Sequence, residues 1–599
     1  MPFLPTTKKE IMEAGWDQPD FIIVSGDAYV DHPSFGVAII SRTLEAFGFK
    51  VAILAQPDWR KPQDLLELGL PRLAFMVSGG NIDSMVNHYS VNRKKRKKDL
   101  YSDEGIMGKR PDRATIVYSR LLKQAAPKVP VILGGIEASL RRLSHYDYWD
   151  DKVRPSILLD AKADLLIYGM AENTVVEVAQ ALNSGLAITD ISWIRGTVIQ
   201  SQSAVEGAVV LPSFQEVKND KKAYAQSFKL QNQNRDAISA KVLVEPYSDV
   251  SLVVNPPALP LTRQEMDDTY SYPYMRTYHP KYKFVPAIEE VRFSLISNRG
   301  CFGSCAFCAL TYHQGRVITS RSKESLVKEA IKITEMPDFK GYIHDVGGPT
   351  ANFHQPSCQK AKESGACVHR ECLHPRCKNL EVSHKEYADI LETIGKLPKV
   401  KKVFVRSGIR YDYLLYDKDD TFFRQLVLHH ISGQLKVAPE HISNPVLDYM
   451  KKPHHEVYEK FVLKFEALNR EYNKNQFLVP YLMSSHPGST LQDAIALAQY
   501  LKKNHKRPQQ VQDFYPTPMT LATAMYYLGF DPLSNKPVYI AKTNSEKLSQ
   551  RVLLQPTLPK NRQLVLAALK EAGRSDLIGE GADCLINNRP YRRTYDKHH

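Results

Sequence analysis

The residues with the clearest chemistry in this sequence are three cysteines, Cys301, Cys305 and Cys308, spaced as CxxxCxxC. They follow directly on the apolar run Val291 to Ile296, which we predict to be a β-strand. Thiolates are the usual protein ligands of iron–sulfur clusters, and three of them on one loop can hold three irons of a four-iron, four-sulfur cluster. The fourth iron is then open to a ligand that the protein does not supply. The spacing therefore predicts a 4Fe-4S cluster with one open iron.

A second group of cysteines follows: Cys358, Cys367, Cys372 and Cys377. Such clustering indicates a metal or redox site in a reducing compartment, the cytoplasm, rather than the disulfides of a secreted protein. Four soft ligands in one segment could close a tetrahedral zinc site or hold an auxiliary iron–sulfur cluster. Their spacing matches neither the paired CxxC of zinc ribbons nor the usual ferredoxin run. Zinc or another structural metal, an auxiliary cluster, and no metal all remain open.

The composition is that of a folded protein with more than one domain. The chain has 599 residues, 43% hydrophobic and 24% charged, which excludes peptide hormones, small disulfide scaffolds and disordered chains. Lys and Arg number 80 and Asp and Glu 65, so the net charge is +15, which favours acidic partners without requiring nucleic acid. The sequence shows no secretory signal and no apolar stretch long enough to span a membrane, so we expect no membrane partner.

Hydrophobic periodicity predicts the elements that position these cysteines. Residues 1–245 alternate between strands and helices, beginning with the strand Phe21 to Ser25, the helix Gly36 to Phe47 and the strand Val51 to Ala55. We therefore predict an N-terminal Rossmann-like α/β domain. Several of its strands end in glycine turns, at Gly79-Gly80, Gly134-Gly135 and Gly169. Such strand ends form the ligand crevice of an open parallel sheet, and simple turn chemistry is the alternative explanation.

A proline-bearing linker, 246–285, precedes a second series of alternating strands and helices. Six predicted strands in residues 286–530 indicate a parallel sheet curled into a partial (β/α)6 barrel, with a cysteine-rich insertion at 351–380. Residues 531–599 are predicted to form a small C-terminal extension, partly helical, with a basic tail. The predicted fold class is thus α/β: a Rossmann-like domain, a partial barrel and an extension.

One further segment, NRKKRKK between Asn92 and Lys98, has six consecutive basic residues and no apolar period. We predict a surface loop. It could bind phosphate groups or be a solvated insertion, and it contains no aromatic residue that could stack on a base.

With Phe307 at its aromatic position, the pattern CxxxC-x-aromatic-C after a strand resembles the signature of radical S-adenosylmethionine (SAM) enzymes. The resemblance implies that Cys301, Cys305 and Cys308 hold a 4Fe-4S cluster whose open iron binds SAM. In that superfamily an electron from the cluster cleaves SAM to a 5'-deoxyadenosyl radical, which abstracts hydrogen from a substrate. It also implies a reductant such as flavodoxin or ferredoxin.

Two other motifs extend this resemblance. HDVGGP, which contains Gly347 and Gly348, is similar to the superfamily's GGE motif, whose backbone binds the SAM ammonium group; a proline replaces the acid. KVAPE, which ends at Glu440, resembles the fourth-strand region of methylthiotransferase-like members. The resemblance implies that Glu440 accepts a hydrogen bond from a SAM hydroxyl, and a surface salt bridge is its other interpretation.

Over nearly the whole chain the pattern is similar to the uncharacterised YgiQ-type radical-SAM family, with a core like that of elongator and methylthiotransferase enzymes. Its N-terminal domain resembles cobalamin-binding-type Rossmann domains, which commonly supply a cobalt ligand from DxHxxG. Here Asp31 directly precedes His32, and three residues separate His32 from Gly36. We therefore expect the fold without cobalamin.

The predicted function is that of an enzyme that cleaves SAM reductively and abstracts hydrogen from an unidentified substrate. RNA is one possible class of substrate, favoured by the net charge and by the likeness to methylthiotransferases. A metabolite or protein is the other. The alternative from a different class is an iron–sulfur scaffold or redox sensor that binds SAM without turnover. The sequence predicts no catalytic residue beyond the cofactor ligands.

Overall fold

The computed structural model describes residues 2–508 and 511–587. The chain packs into two compact units. The first comprises Met1–Ser304, Cys308–Ser432 and Thr517–Thr520, and the second comprises Cys305–Phe307, Gly433–Pro516 and Leu521–His599. The CxxxCxxC motif therefore contributes residues to both units.

A nine-stranded sheet dominates the N-terminal part of the first unit. Its strands are β1 (Phe21–Ser25), β2 (Val51–Ala55), β3 (Ala74–Ser78), β4 (Val131–Gly134), β5 (Leu165–Ile167), β6 (Thr197–Ser201), β7 (Val209–Val210), β8 (Leu243–Pro246) and β9 (Ser251–Val254). They lie in the order β7-β8-β9-β6-β5-β4-β3-β1-β2. The strands β1 to β5 run parallel to their neighbours, and β6 then pairs antiparallel with β5.

The amino-acid pattern of β1 explains why this sheet is buried on both faces. All five residues of the strand are buried. Ile22 and Val24 belong to one hydrophobic cluster, and Phe21 and Ile23 belong to another. Because successive side chains of a strand point to opposite faces, the uninterrupted apolar run packs against helices on both sides. The predicted Rossmann-like architecture is confirmed.

The predicted barrel strands form parallel ladders in each unit. The first unit contains β10 (Ser294–Ile296), β11 (Tyr342–Ile343), β12 (Asp345–Gly347) and β13 (Lys402–Val403); the second contains β14 (Gln434–Glu440), β15 (Phe477–Ser484) and β16 (Val511–Asp513). In the first unit β12 pairs with β10 and β11 pairs with β13, so β11 and β12 are two parts of one predicted strand. In the second unit the order is β14-β15-β16. The fold is α/β throughout.

Helices connect these strands. Those of eight or more residues in the first unit are Gly36–Ala46, Ala114–Ala125, Glu172–Asn183, Lys221–Gln233, Arg263–Ser271, Lys323–Thr334 and Lys385–Gly395. Those in the second are His455–Glu471, Leu491–Lys503, Leu521–Leu528, Asn544–Leu553 and Arg562–Glu571. No helix within residues 2–508 and 511–587 combines the length and the apolarity needed to cross a membrane.

Some boundaries differ from those predicted. The segment 246–285 is not only a linker, because β9 lies within it: the apolar run Leu252 to Val254 is buried and pairs antiparallel with β6 and β8. The first barrel strand starts at Ser294, since the preceding apolar residues form the short helix Ile288–Val291, which Ile288 anchors in the core. The predicted basic tail lies, from residue 588 onward, outside the described residues.

Candidate functional site

The cysteine loop begins directly after β10, at a turn that only glycine can form. Gly300 has φ of +83°, and a Cβ atom there would lie 2.1 Å from the carbonyl oxygen of Val317. Any other residue would meet both backbone strain and a clash. Next in the chain, the Cys301 amide donates a hydrogen bond of 3.0 Å to the carbonyl of Gly315. Both contacts are with the segment 315–317, which fixes the backbone at Cys301.

Phe302 anchors the same loop in an aromatic cluster. Its side chain is buried and stacks on Phe353, with ring centroids 3.8 Å apart, while Tyr413 meets it edge-on at 5.6 Å. Full burial of a phenylalanine contributes about 1.5–3 kcal/mol, and aromatic contacts add to it. The Cys301 side chain lies beside this cluster, and its sulfur is 3.6 Å from the hydroxyl oxygen of Thr350.

A buried ion pair joins the N-terminal domain to this loop. Glu172, the first residue of the helix Glu172–Asn183, pairs with Arg299, two positions before Cys301. Arg299 also donates a hydrogen bond of 3.2 Å to the Tyr270 hydroxyl. Burial alone would lower the pKa of Arg299, but the Glu172 carboxylate outweighs that effect and raises the pKa above its usual range. The Arg299 guanidinium therefore stays charged in the protein interior.

Gly347 and Gly348 form a close backbone contact with the start of the loop. A Cβ atom at Gly347 would lie 2.1 Å from the Ser407 hydroxyl oxygen, and one at Gly348 would lie 2.5 Å from the carbonyl oxygen of Asn298. Neither position has room for a side chain. The turn leads directly to Thr350, whose hydroxyl reaches Cys301. The first unit thus brings Cys301 together with the two glycines predicted to contact SAM.

The neighbouring Asp345 is the acidic group closest to this turn in sequence. Its carboxylate accepts hydrogen bonds from the amides of Arg406 at 2.7 Å and Ser407 at 3.1 Å, and from the Ser407 hydroxyl. Burial raises the pKa of Asp345 despite these bonds. The carboxylate thereby holds the segment that follows β13 against β12.

A cavity of about 510 Å³ opens in the first unit at the carboxyl ends of the parallel strands. The glycine turns predicted as a crevice line it, and so does the turn that follows β12. Its lining is mostly apolar, which is the usual character of a small-molecule site, and its volume is within the range of such sites. The glycines of its lining include Gly80, Gly134, Gly135, Gly169, Gly347 and Gly348.

The segment Cys305–Phe307 is held within the second unit. The Ala306 amide donates to the carbonyl of Met450 at 3.0 Å, and the Ala306 carbonyl accepts from the amide of Ala522 at 2.9 Å. Phe307 meets His486 edge-on at 5.8 Å. His486 is buried, which lowers its pKa to about 3, so the imidazole next to Phe307 is neutral.

Glu440 ends the strand β14 of the same unit. It is buried and has φ of +67°, and the pairing of β14 with β15 shifts register between Val437 and Glu440. Glu440 is only 6% exposed, so it lies in the interior of this unit and not at its surface. The predicted site residues are thus divided: Cys301, Cys308, Gly347 and Gly348 lie in the first unit, and Cys305, Phe307 and Glu440 lie in the second.

Sequence reasoning missed Arg410 and Asp412. Both are buried, and the Arg410 guanidinium pairs with the Asp412 carboxylate at 2.6 Å. A Cβ atom at Gly303 would lie 2.8 Å from the guanidinium and 3.2 Å from the Cys301 sulfur, so the cation flanks the cysteine loop. A nearby cation favours the thiolate form of cysteine. The only signal was the spacing RxD after β13, which is too common to single out.

The remaining sequence predictions concern the first unit. His32 is buried, its Nδ1 accepts from the Ser34 amide at 3.1 Å, and it is not among the described residues that line the cavity. The basic segment from Arg93 to Lys98 is an exposed loop, as predicted. Arg93 donates to the Tyr148 carbonyl at 2.8 Å, which holds the loop to the domain.

Two family models match parts of the chain. Residues 3–294 match the family model described as Radical SAM N-terminal, and residues 509–598 match a domain of unknown function (DUF3362). The first match assigns a radical-SAM N-terminal domain to these residues, and the cysteine loop lies shortly after it in the chain.

The particular family follows from full-length relatives. A UPF0313 protein of Clostridium perfringens (strain 13 / Type A) is 55% identical over 594 residues, covering 98% of this chain and 90% of the relative. A UPF0313 protein of Clostridium botulinum (strain 657 / Type Ba4) is 55% identical over 599 residues, covering 99% and 93%. The chain belongs to the UPF0313 family.

Two solved structures show more distant likeness. The radical SAM methyltransferase TsrM from Kitasatospora setae, with tryptophan substrate and a SAM analogue bound, has a TM-score of 0.47 and 14% identity, covering 84% of this chain and 75% of that one. The cobalamin-dependent SAM radical enzyme OxsB, with aqua-cobalamin bound, has a TM-score of 0.48 and 13% identity, covering 94% and 63%.

Proposed function

We propose that the protein is a YgiQ-type radical-SAM enzyme that uses a 4Fe-4S cluster to cleave SAM and abstract hydrogen from a substrate. The observation that carries the proposal is the approach of Cys301 to Thr350, directly after the Gly347-Gly348 turn. A cluster ligand and a backbone suited to the SAM ammonium group therefore meet at one place. When bound, the cluster supplies the electron that cleaves the carbon–sulfur bond of SAM.

The residues of this chain fit that group and have separate roles in the proposal. Cys301, Cys305 and Cys308 each bind one iron through a thiolate. Gly347 and Gly348 leave their backbone groups accessible because they carry no side chain. Glu440 accepts a hydrogen bond from SAM, and Phe307 shields the cluster. These roles rest on the motif resemblance and on the packing described above.

The apolar cavity is the proposed seat of the substrate. It is lined by Gly347 and Gly348, so a molecule in it would contact the same turn as SAM. An apolar wall excludes water, which protects a radical from side reactions. The substrate is a small molecule or a group of a larger one that fits about 510 Å³.

The test is the anaerobic detection of 5'-deoxyadenosine after the protein has been reduced in the presence of SAM. The electron donor is of the flavodoxin or ferredoxin class, which suits the reducing compartment, the cytoplasm, that we infer from the cysteines. A scaffold or redox sensor would bind SAM without forming this product. Comparing RNA nucleosides and metabolites between cells with and without the protein would then identify the substrate.

We expect the purified protein to contain no stoichiometric cobalamin. His32, at the wrong spacing for a cobalt ligand, is buried and its Nδ1 accepts a hydrogen bond from Ser34. The measurement is the absorbance spectrum after anaerobic reconstitution with cobalamin and removal of excess. Tight retention of cobalamin would contradict the prediction and make methyl transfer the better hypothesis.

If the basic loop binds RNA, neutralising Lys94, Lys97 and Lys98 with glutamine should reduce the salt dependence of binding. Removing one phosphate interaction lowers the slope of log affinity against log salt by about 0.7 for single strands and about 0.9 for duplexes. These three side chains are exposed, and replacing them retains the hydrogen bond from Arg93 that holds the loop. The control is Lys396→Gln, which removes the charge of an exposed side chain at the C-cap of the helix Lys385–Gly395. An unchanged slope would leave the loop as a solvated insertion.

A further inference from the structure

The second cysteine group lies in a single closed loop of the first unit. The amide of Glu381 donates to the carbonyl of Ser357 at 2.9 Å, which joins the two ends of the loop. Within it, the Cys377 amide donates to the Cys372 carbonyl at 2.9 Å. None of the eight cysteines, all of which lie in the described part of the chain, forms a disulfide. The loop therefore presents four thiols from a defined backbone.

This loop is packed directly beside the first cysteine motif. Cys301, Cys372 and Cys377 contact the same hydrophobic cluster, whose members are Phe302, Ile318, Phe353, Leu373, Leu380 and Tyr413. Arg316 donates to the Cys367 carbonyl at 2.8 Å, and its chain neighbour Gly315 accepts from the Cys301 amide. Two separate connections thus hold the second cysteine group next to the first.

The positions of the four sulfur atoms favour one of the two metal groups, zinc or an iron–sulfur cluster, that their spacing in the sequence left open. A tetrahedral zinc site draws all four thiolates to one point, with zinc–sulfur distances of about 2.3 Å. Among these described residues, no three sulfur atoms lie within 4.8 Å of one another. A cubane cluster instead gives each thiolate its own iron, so its ligands are spread around a larger body.

We propose that Cys358, Cys367, Cys372 and Cys377 bind an auxiliary four-iron iron–sulfur cluster beside the cluster of the CxxxCxxC motif. Four thiolates match the four irons of such a group. Phe302 and Phe353 stack on each other within the hydrophobic cluster against which Cys301, Cys372 and Cys377 pack. The site goes beyond the proposed cleavage of SAM and does not depend on it.

The first experiment is iron and sulfide analysis of the full chain after anaerobic reconstitution, with electron paramagnetic resonance of the reduced protein. We expect about eight irons per chain and signals from two clusters. The variant carrying Cys372→Ser and Cys377→Ser should hold about four irons. About four irons with one zinc in the unchanged protein, or about four irons without zinc, would overturn the proposal.

A second variant keeps the test decisive if the loop variant fails to fold. Replacing Cys301, Cys305 and Cys308 together with alanine should remove only the first cluster and leave about four irons and one signal. No iron in this folded variant, as judged by circular dichroism, would overturn the auxiliary site whatever the fate of SAM cleavage. Cys584→Ser is the matched control, since that cysteine lies in the second unit outside both groups, and it should retain about eight irons.

Discussion

Alanine at Cys305 is expected to abolish the formation of 5'-deoxyadenosine, with at least about a thousandfold loss of rate, equivalent to about 4 kcal/mol of barrier. The motif offers one thiolate for each of three irons, so no other residue of the loop can replace the missing ligand. The same loss is expected at Cys301 and Cys308. The measurement is product formation from SAM under anaerobic reduction, followed by chromatography.

The matched control for this prediction is Cys584→Ala, which removes a half-buried cysteine of the second unit and should leave the rate unchanged. Circular dichroism separates loss of the cluster from loss of the fold. Undiminished 5'-deoxyadenosine from a folded Cys305→Ala protein would contradict the assignment of the motif as cluster ligands.

Glu172→Gln is expected to lower the free energy of unfolding by about 3 kcal/mol or more. The change leaves the Arg299 guanidinium buried without its counter-charge, and removal of one partner of a buried pair costs about 3–5 kcal/mol. Because glutamine can still accept a hydrogen bond from Arg299, we expect a loss of stability near the lower end of this range. Because Arg299 precedes Cys301 by two residues, cluster content should fall as well. Urea titration and iron analysis provide the two measurements.

An exposed pair in the same unit is the control for this effect. Lys396 and Glu392 are one turn apart on a helix and both are largely exposed, so Glu392→Gln should cost less than about 1 kcal/mol. A double change, Glu172→Leu with Arg299→Met, removes both charges and should recover part of the stability. Equal costs for Glu172→Gln and Glu392→Gln would show that the buried pair does not stabilise the fold.

The local pattern of apolar and polar residues was sufficient to predict most of the strands and helices. The strands β1 and β2 have the bounds that hydrophobic periodicity predicted, and the helix predicted from Gly36 to Phe47 ends one residue earlier, at Ala46. The strand β9 was missed because its four residues are flanked by prolines and polar residues, and only its pairing with β6 and β8 makes it part of the sheet. The pairing with β6 joins Val254 to Val198, which no local window contains.

The sequence by itself predicted the class of chemistry, iron–sulfur ligation with SAM binding. Three cysteines at CxxxCxxC spacing and the glycine pair are short motifs, which can be identified from residue type and spacing alone. Only the tertiary structure decided what surrounds them. The pair Glu172 and Arg299 joins residues 127 positions apart, and Thr350 reaches Cys301 across 49. Such contacts depend on how the chain folds back on itself, and their energies arise from burial, which a residue acquires only in the packed protein.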